Sequence, residues 1–355
     1  MVARTSLGGG ELVMVDADAS PPPARKRPPS QADVAALAGV SAQTVSRVAN
    51  GLSNVDEQTR ERVLSAMQVL GYQRNSAARA LALGRFHMLG VITFDLSAHG
   101  NARTLAAISR AAQVAGYSVN VAVLDRQTED AVQKALSQLA GQAVDGVVVI
   151  EAQILDRQGL RLAPGVPLVV ADGNPDGFTS VDNNQAAGAA AATKHLLDLG
   201  HRSVWHVAGP QDSFSARRRA TAWHATLKEA GAPVPPLQLG DWTAASGYRI
   251  GRELALRDDV TAIFAGNDHM ALGLMLALRE AGIDVPGQVS VVGFDDLPES
   301  AYFLPALSTV HQDFEEIGRQ CVSLLLAQID GETSQRMVSV PPELVIRASS
   351  GPPPQ

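Results

Sequence analysis

The sequence predicts a small all-α helix-turn-helix head joined to a larger α/β body of two doubly wound parallel-sheet subdomains. Three observations carry this. A chain of 355 residues is too long for one ordinary core. Residues 30–74 show the caps and apolar spacings of short helices. From residue 88 onward, short apolar runs alternate with helical stretches. These runs outnumber the roughly five or six strands of one sheet, which divides the body in two.

Residues 1–29 carry Gly8-Gly9-Gly10 and Pro21-Pro22-Pro23 without periodicity and are expected to form a disordered tail. Ser30, with Asp33 three residues on, opens the first helix as a capping box, and Val34, Leu37 and Ala38 supply its apolar face. Gly39 breaks that helix, Val40 follows as a buried turn residue, and Ser41 caps a second helix over 43–50 with Val45 and Val48 inward. A third helix starts near Asp56, buries Val63, Met67 and Leu70, and stops at Gly71. Residues 75–85 form an Ala-rich stretch too short to be helical alone, so partner contact decides its state. In the body, strands are expected at Met88–Phe94, 118–123, Gly146–Ile150, Leu168–Ala171, 203–207, Ala262–Ala265 and 289–292. Helices fall between them, for example at 104–115, 128–140 and 185–199.

The formal net charge of −7 argues against a nucleic-acid partner only when read whole. From Arg25 to Arg85 nine basic residues face four acidic ones, a balance of +5 that leaves −12 for the remainder. A basic head on an acidic body is the asymmetry of a chain that touches phosphate at one end. No run approaches a membrane span, and the polar N-terminus lacks the apolar region of a secretory signal. Cys321 is the only cysteine, so no intrachain disulfide forms and the thiol is assigned to the core. These features point to the cytoplasm.

On the second helix Ala42, Gln43, Ser46 and Arg47 are expected to be exposed near the N-terminus, the part of such a helix that enters the major groove. Glutamine pairs bidentately with adenine and arginine with guanine. Thr44, Ser46 and Asn50 suit phosphate contacts, which set register. An ordinary helical hairpin with a solvated face would show the same spacing.

A second constellation lies at the predicted strand ends, where open α/β sheets bind ligands. Carboxylates, amides and guanidinium groups suit sugar hydroxyls, and an aromatic face suits the apolar side of a sugar ring. The candidates are Asp172, Arg219, Trp242, Asn267, Asp295 and Phe314. Singly, such an aspartate reads as a turn or cap and such a tryptophan as core.

The run D-V-A-A-L-A-G-V-S-A-Q-T-V-S-R-V-A-N resembles the head of the LacI/GalR family of transcriptional regulators, and the resemblance continues to about residue 348. It implies a periplasmic-binding-protein-like body and a homodimer whose two heads read a pseudo-palindromic operator. By the same resemblance Gln43 and Arg47 read bases, with Ala42 in the place of the first base-reading side chain. Residues 75–87 then resemble the family's hinge, with Asn75 and Ala78 in the DNA-binding set and Leu81 as the wedge that kinks the duplex. S-x-S-A-R-x-R, A-W-H, G-D-W-T-A-x-S-G and N-D-x-M-A-L-G resemble the family's effector segments. They imply sugar contacts from the six candidates, joined by Ser213 and Ser215, with Arg217 and Asp268 as structural supports. Phe94 and Asp95 are expected to narrow the opposite wall, and His99 matches a histidine at the family's moving dimer interface. The implied domains are 30–74 for the head, 88–182 with 314–336 and 183–313 with 337–348 for the subdomains, and 349–355 as a disordered tail.

The expected function is a repressor released by a sugar, a galactoside or related glycoside. The alternatives are a co-repressor mode, as in purine-responsive relatives, and an enzyme or sugar-binding protein of another kind. The chain carries no G-x-S-x-G, H-E-x-x-H or G-x-x-x-x-G-K-[ST] motif, and no His or Cys cluster supports a metal at Asp295-Asp296. No cofactor is expected. The C-terminal sequence contains no leucine heptad of the kind that makes tetramers, which predicts a dimer.

Overall fold

The computed structural model describes residues 27, 29–49, 54–72, 84–125, 128–150, 166–173, 177–333 and 335–354. They fall into two separate units, a head up to Tyr72 and a body from Gly84. The expected tail, apart from Arg27 and Pro29, lies outside the described residues. So do Asn50 and the hinge positions Asn75, Ala78 and Leu81.

The head has three helices, α1 (Gln31–Ala38), α2 (Ala42–Ala49) and α3 (Glu57–Leu70). The capping box is present: the Ser30 backbone N–H donates to Asp33 Oδ2 at 2.7 Å, and Asp33 N–H donates to Ser30 Oγ at 3.3 Å. Gly39 ends α1 in the left-handed region at φ 67°. The core is Val34, Ala35, Ala38, Val45, Val48, Val63 and Ala66, with Val40, Met67 and Leu70 packed at its edge. Leu37, expected on this face, is 53% exposed. Positions 34, 35 and 38 share one side of a 3.6-residue helix and position 37 projects beyond it.

In the body's first subdomain β1 (Met88–Phe94), α4 (His99–Val114), β2 (Ser118–Leu124), α5 (Glu129–Gly141), β3 (Gly146–Ile150), β4 (Leu168–Ala171) and β5 (Thr179–Asp182) follow in order. The second runs α6 (Gln185–Asp198), β6 (Trp205–Ala208), α7 (Phe214–Glu229), β7 (Gln238–Leu239), α8 (Ala244–Leu254), β8 (Ala262–Ala265), α9 (Asp268–Glu280), β9 (Ser290–Asp295) and β10 (Ser308–His311). α10 (Phe314–Ile329) and β11 (Met337–Ser339) return to the first subdomain, and β12 (Glu343–Val345) to the second.

The sheet orders are β11-β5-β4-β3-β1-β2 and β12-β10-β9-β8-β6-β7. Both are parallel except for β12, which runs antiparallel to β10 at an edge. Each sheet is buried on both faces, as continuous apolar strands such as Gly146–Ile150 require. Leu89 and Val91 of β1 pack with Ile108, Ile317 and Leu325 on one face, and Ile92 and Phe94 pack with Leu136 and Leu139 on the other. Strand order reverses between β1 and β3 and between β6 and β8, so a crevice opens at the carboxyl ends there.

Two expected boundaries move. β11 pairs with β5 and Val340 joins the first core, so the last crossing follows residue 340, not 336. Residues 349–354 are not a free tail. Ser349 is fully buried; its Oγ donates to Val291 O at 2.6 Å and accepts from Ser308 N–H at 2.8 Å. His201 Nε2 donates to Gly351 O at 2.9 Å, which leaves Nδ1 to accept from Thr261 Oγ1 at 3.0 Å. This docking uses small hydroxyls and backbone, which carry no hydrophobic signal.

Candidate functional site

The head presents one exposed polar face on α2. Ser41 starts it, accepting from Thr44 N–H at 3.1 Å, while Val45, Val48 and Ala49 are buried beneath. Ala42, Gln43 and Arg47 are exposed, and Thr44 and Ser46 are half-buried. Gln43 and Arg47 are four residues apart, so they stand one above the other on the same side. The Thr44 hydroxyl lies 3.0 Å from that of Ser41, so it is engaged in the cap as well as edging this face.

The body holds a cleft between its subdomains, the place where open α/β sheets bind ligands. Asp172, Ser213, Ser215, Arg219, Trp242, Asn267, Asp295 and Phe314, drawn from separate segments, all line it. Each is delivered by an element end. Asp172 follows β4 with φ 53°, and Asp295 ends β9 with φ 104°; both lie in the left-handed region that side chains rarely adopt. Ser213 caps α7 by accepting from Ala216 N–H. Asn267 caps α9, accepting from Met270 N–H at 2.8 Å, and its Nδ2 donates to Trp242 O at 3.1 Å. Trp242 has φ 71°, and Phe314 is the first residue of α10.

Arg219 is the organising side chain. Nε donates to Gln185 Oε1 at 2.8 Å, Nη1 donates to Gly266 O, and Nη2 lies 3.5 Å from Asp295 Oδ1. Its guanidinium sits 3.7 Å from the Phe294 ring centroid and 5.4 Å from that of Trp242. Gln185 Nε2 bridges Asp172 Oδ1 and Gln312 Oε1, each at 3.0 Å, and Gln312 Nε2 donates to Asp295 Oδ1 at 2.7 Å. Burial raises the carboxyl pKa of Asp172. Burial likewise pushes Asp295 up to about 7, opposed by Arg219 and reinforced by Asp268 and Asp172.

Gln185 and Gln312 escape the sequence reading. Gln312 has the same strand-end signal as its neighbours, following β10, whereas Gln185 opens a helix and looks like surface. The wall expected from Phe94 and Asp95 is built differently. Phe94 is core, pointing into the α5 side of the first sheet, and Asp95 Oδ1 accepts from Ser97 N–H at 2.9 Å in a tight turn. Strand alternation sends Phe94 to a sheet face, so the lining comes instead from 97–101, including His99 and Asn101. Asp268 supports structure: it accepts from Leu297 N–H, Ser300 Oγ and Thr309 Oγ1. Asp296 is taken up by Arg347 at 2.7 Å and His311 at 3.1 Å. Among the described residues no group of three or more His, Cys, Asp or Glu could hold a metal, and no helix is long and apolar enough to cross a membrane.

Residues 32–75 match the model for bacterial regulatory proteins of the lacI family, and residues 193–350 match a periplasmic binding protein-like domain. The lactose operon repressor of Escherichia coli K12 is 35% identical over 331 residues, covering 91% of each chain. The HTH-type transcriptional repressor PurR of Haemophilus influenzae (strain PittEE) is 33% identical, covering 89% of this chain and 97% of its own. Among solved structures, the lac repressor dimer bound to operator and the anti-inducer ONPF superposes with a TM-score of 0.82 at 34% identity, over 92% of this chain and 100% of that one. The transcriptional regulator CelR in complex with cellobiose gives 0.66 at 33% identity, over 90% and 99%. Since identity at this level extends through head and body alike, the chain belongs to the lacI family of bacterial regulatory proteins, as a transcriptional repressor with a DNA-binding head and a ligand-binding body.

Proposed function

We propose that this repressor binds a pseudo-palindromic operator as a homodimer and is released by a sugar, a galactoside or related glycoside. The observation that carries the reading is the convergence of eight chemically suited residues on one inter-subdomain cleft. Asp172, Asp295, Asn267, Ser213 and Ser215 offer acceptors and donors to ring hydroxyls, Arg219 a fixed fork of donors, and Trp242 and Phe314 apolar surface. The operator side rests on the α2 face: Gln43 and Arg47 read base edges, and Ser30, Thr44, Ser46 and Asn50 contact phosphate beside Ala42. Asn75, Ala78 and Leu81 extend these contacts into the hinge. A sugar lowers operator affinity only by its preference for the non-binding arrangement of the subdomains.

The test is operator binding titrated against galactosides, glucosides, pentoses and purines. Release by one sugar supports induction. Tightening by a ligand supports the co-repressor mode. Response to purines alone removes the sugar reading. Sedimentation of a stable tetramer removes the dimer.

A further inference from the structure

Two of the chain's passages between the subdomains lie side by side. β5 ends at Asp182, and the last crossing leaves after Val340, whose N–H donates to Asp182 O at 2.8 Å. Asp182 is thus the residue at which both crossings meet. Its carboxylate is taken up by the second subdomain, through both arms of the Arg218 fork on α7: Nη2 donates to Oδ2 at 2.8 Å and Nη1 donates to Oδ1. The Arg218 guanidinium also lies 5.4 Å from the Phe214 ring centroid, one turn back on the same helix. Neither Asp182 nor Arg218 is among the residues that line the cleft, although Arg219, next in the chain, organises it.

Magnitudes decide what such a pair does. An exposed pair is screened and contributes little. The Asp182 and Arg218 side chains are only 7% and 24% exposed, so separating them would leave a carboxylate almost without water or partner. Taking both charges out of water costs nearly what their attraction returns, so net stability is a poor account of the pair. Direction is the better one. Two parallel N–H···O bonds from a planar fork are met in one relative placement of the groups. One group belongs to the first subdomain and the other to the second, so that placement is also a placement of the subdomains. In it Asp172 of the first subdomain accepts from Gln185 of the second at 3.0 Å, and the groups of the cleft converge.

We propose that Asp182 and Arg218 form a hinge clamp: positioning residues that hold the subdomains in the arrangement where the binding groups converge, without touching the effector. The backbone of Asp182 ties the two crossing segments to one another, and its side chain ties them to α7. The clamp acts whatever ligand the cleft takes.

The test reads the arrangement directly and needs no ligand. Spin labels are placed on the full chain at Lys134→Cys in α5 and Lys228→Cys in α7, both exposed and outside the cleft, with excess unlabelled chain exchanged into the dimer. Cys321 is fully buried and stays unlabelled. Double electron–electron resonance should show one dominant distance in the otherwise wild-type chain. Arg218→Met, and Arg218→Met combined with Asp182→Asn, should each raise the ratio of a second distance to the first at least about tenfold, as the loss of charge-assisted hydrogen bonds implies. Arg218→Lys, which keeps the charge without the fork, should give an intermediate ratio. Circular dichroism checks that each variant folds. The double variant decides, since it leaves no uncompensated carboxylate. A wild-type distance distribution in it overturns the clamp, as do several comparable distances in the wild type. Failure of the double variant to fold also overturns it, because the pair would then be a requirement of the fold and not of the arrangement.

Discussion

At the scale of single residues, the cleft depends on side chains whose ordinary states have been altered by burial. Arg219 has three directed interactions at once, to Gln185, Gly266 and Asp295. A lysine ammonium is a point charge without the planar fork and cannot reproduce them together. Arg219→Lys should therefore weaken effector binding about tenfold or more, from the ~1.5–3 kcal/mol of a hydrogen bond to a charged group. An unchanged Kd by calorimetry would remove Arg219 from the binding set. His206 shows a different consequence. It is fully buried, stacked on Phe264 at 4.5 Å, with Nδ1 donating to Phe264 O at 2.9 Å and Nε2 without a partner among the described residues. Burial lowers its pKa from 6.5 to about 4. The folded state thus binds fewer protons than the unfolded one in that window, and the stability contributed by neutral His206 is lost as pH falls from 6.5 toward 4. Asp295, raised to about 7, has the opposite sign: its folded state takes up a proton as pH falls from about 7. The difference between wild type and His206→Phe isolates the histidine. In thermal unfolding the variant should lose at pH 8, where Phe264 O loses its donor, and recover relative to wild type between pH 6.5 and 4. A pH-independent difference would contradict the assignment.

At the scale of elements, the shape of the cleft follows from how closely helices approach. α8 and α9 are in contact through Gly247 and Gly273. A Cβ on Gly247 would come 2.0 Å from Met270 O, and one on Gly273 would come 1.8 Å from Ala244 O. Backbone, not a flexible side chain, stands in the way, so α9 would have to shift. Its first turn carries His269 and its cap is Asn267, so that shift would reach the cleft. Gly273→Ala should lower stability by about 1–3 kcal/mol, the usual cost of overpacking, and weaken effector binding as well. Urea unfolding and calorimetry on the same variant check both parts, and a variant of wild-type stability would show that α9 can yield without cost. The head is governed by the opposite circumstance, small residues and caps without large apolar groups. With Val34, Val45, Val48 and Val63 as its largest buried side chains, its helices depend on cues such as the Ser30–Asp33 box and Gly39.

At the scale of the whole molecule, the two functions rest on separate cores. The head's core draws only on head residues and the body's four clusters only on body residues. Mutations in one unit should therefore leave the intrinsic affinity of the other intact. Arg47→Ala should lower operator affinity by about 1–3 kcal/mol, the worth of a bidentate base contact, while the effector Kd measured without DNA stays at its wild-type value. Arg219→Lys should do the reverse, retaining operator binding and requiring more effector for release. Filter binding and calorimetry on both variants give the four numbers. Arg47→Ala that bound operator normally would withdraw it from the base-reading set.

The sequence by itself determined the local structure and the class of fold. Helix caps, Gly39 and the apolar spacing on α2 are short-range features, and strand runs such as Leu168–Ala171 are apolar because both sheet faces are covered. The short strands β5, β7, β10, β11 and β12 were not legible, since Thr179–Asp182 or Gln238–Leu239 pair through backbone groups that every residue possesses. The candidate cleft was legible where residues lie at the carboxyl ends of strands, as Asp172, Asn267 and Asp295 do. Only the tertiary structure decided the rest. It brought Gln185 and Gln312 together across 127 residues of chain, turned Phe94 into core, set His99 opposite His269, and docked residues 349–354 on the second subdomain. Each of these depends on which residues, distant in sequence, the packed sheets bring side by side, and that is absent from any local pattern.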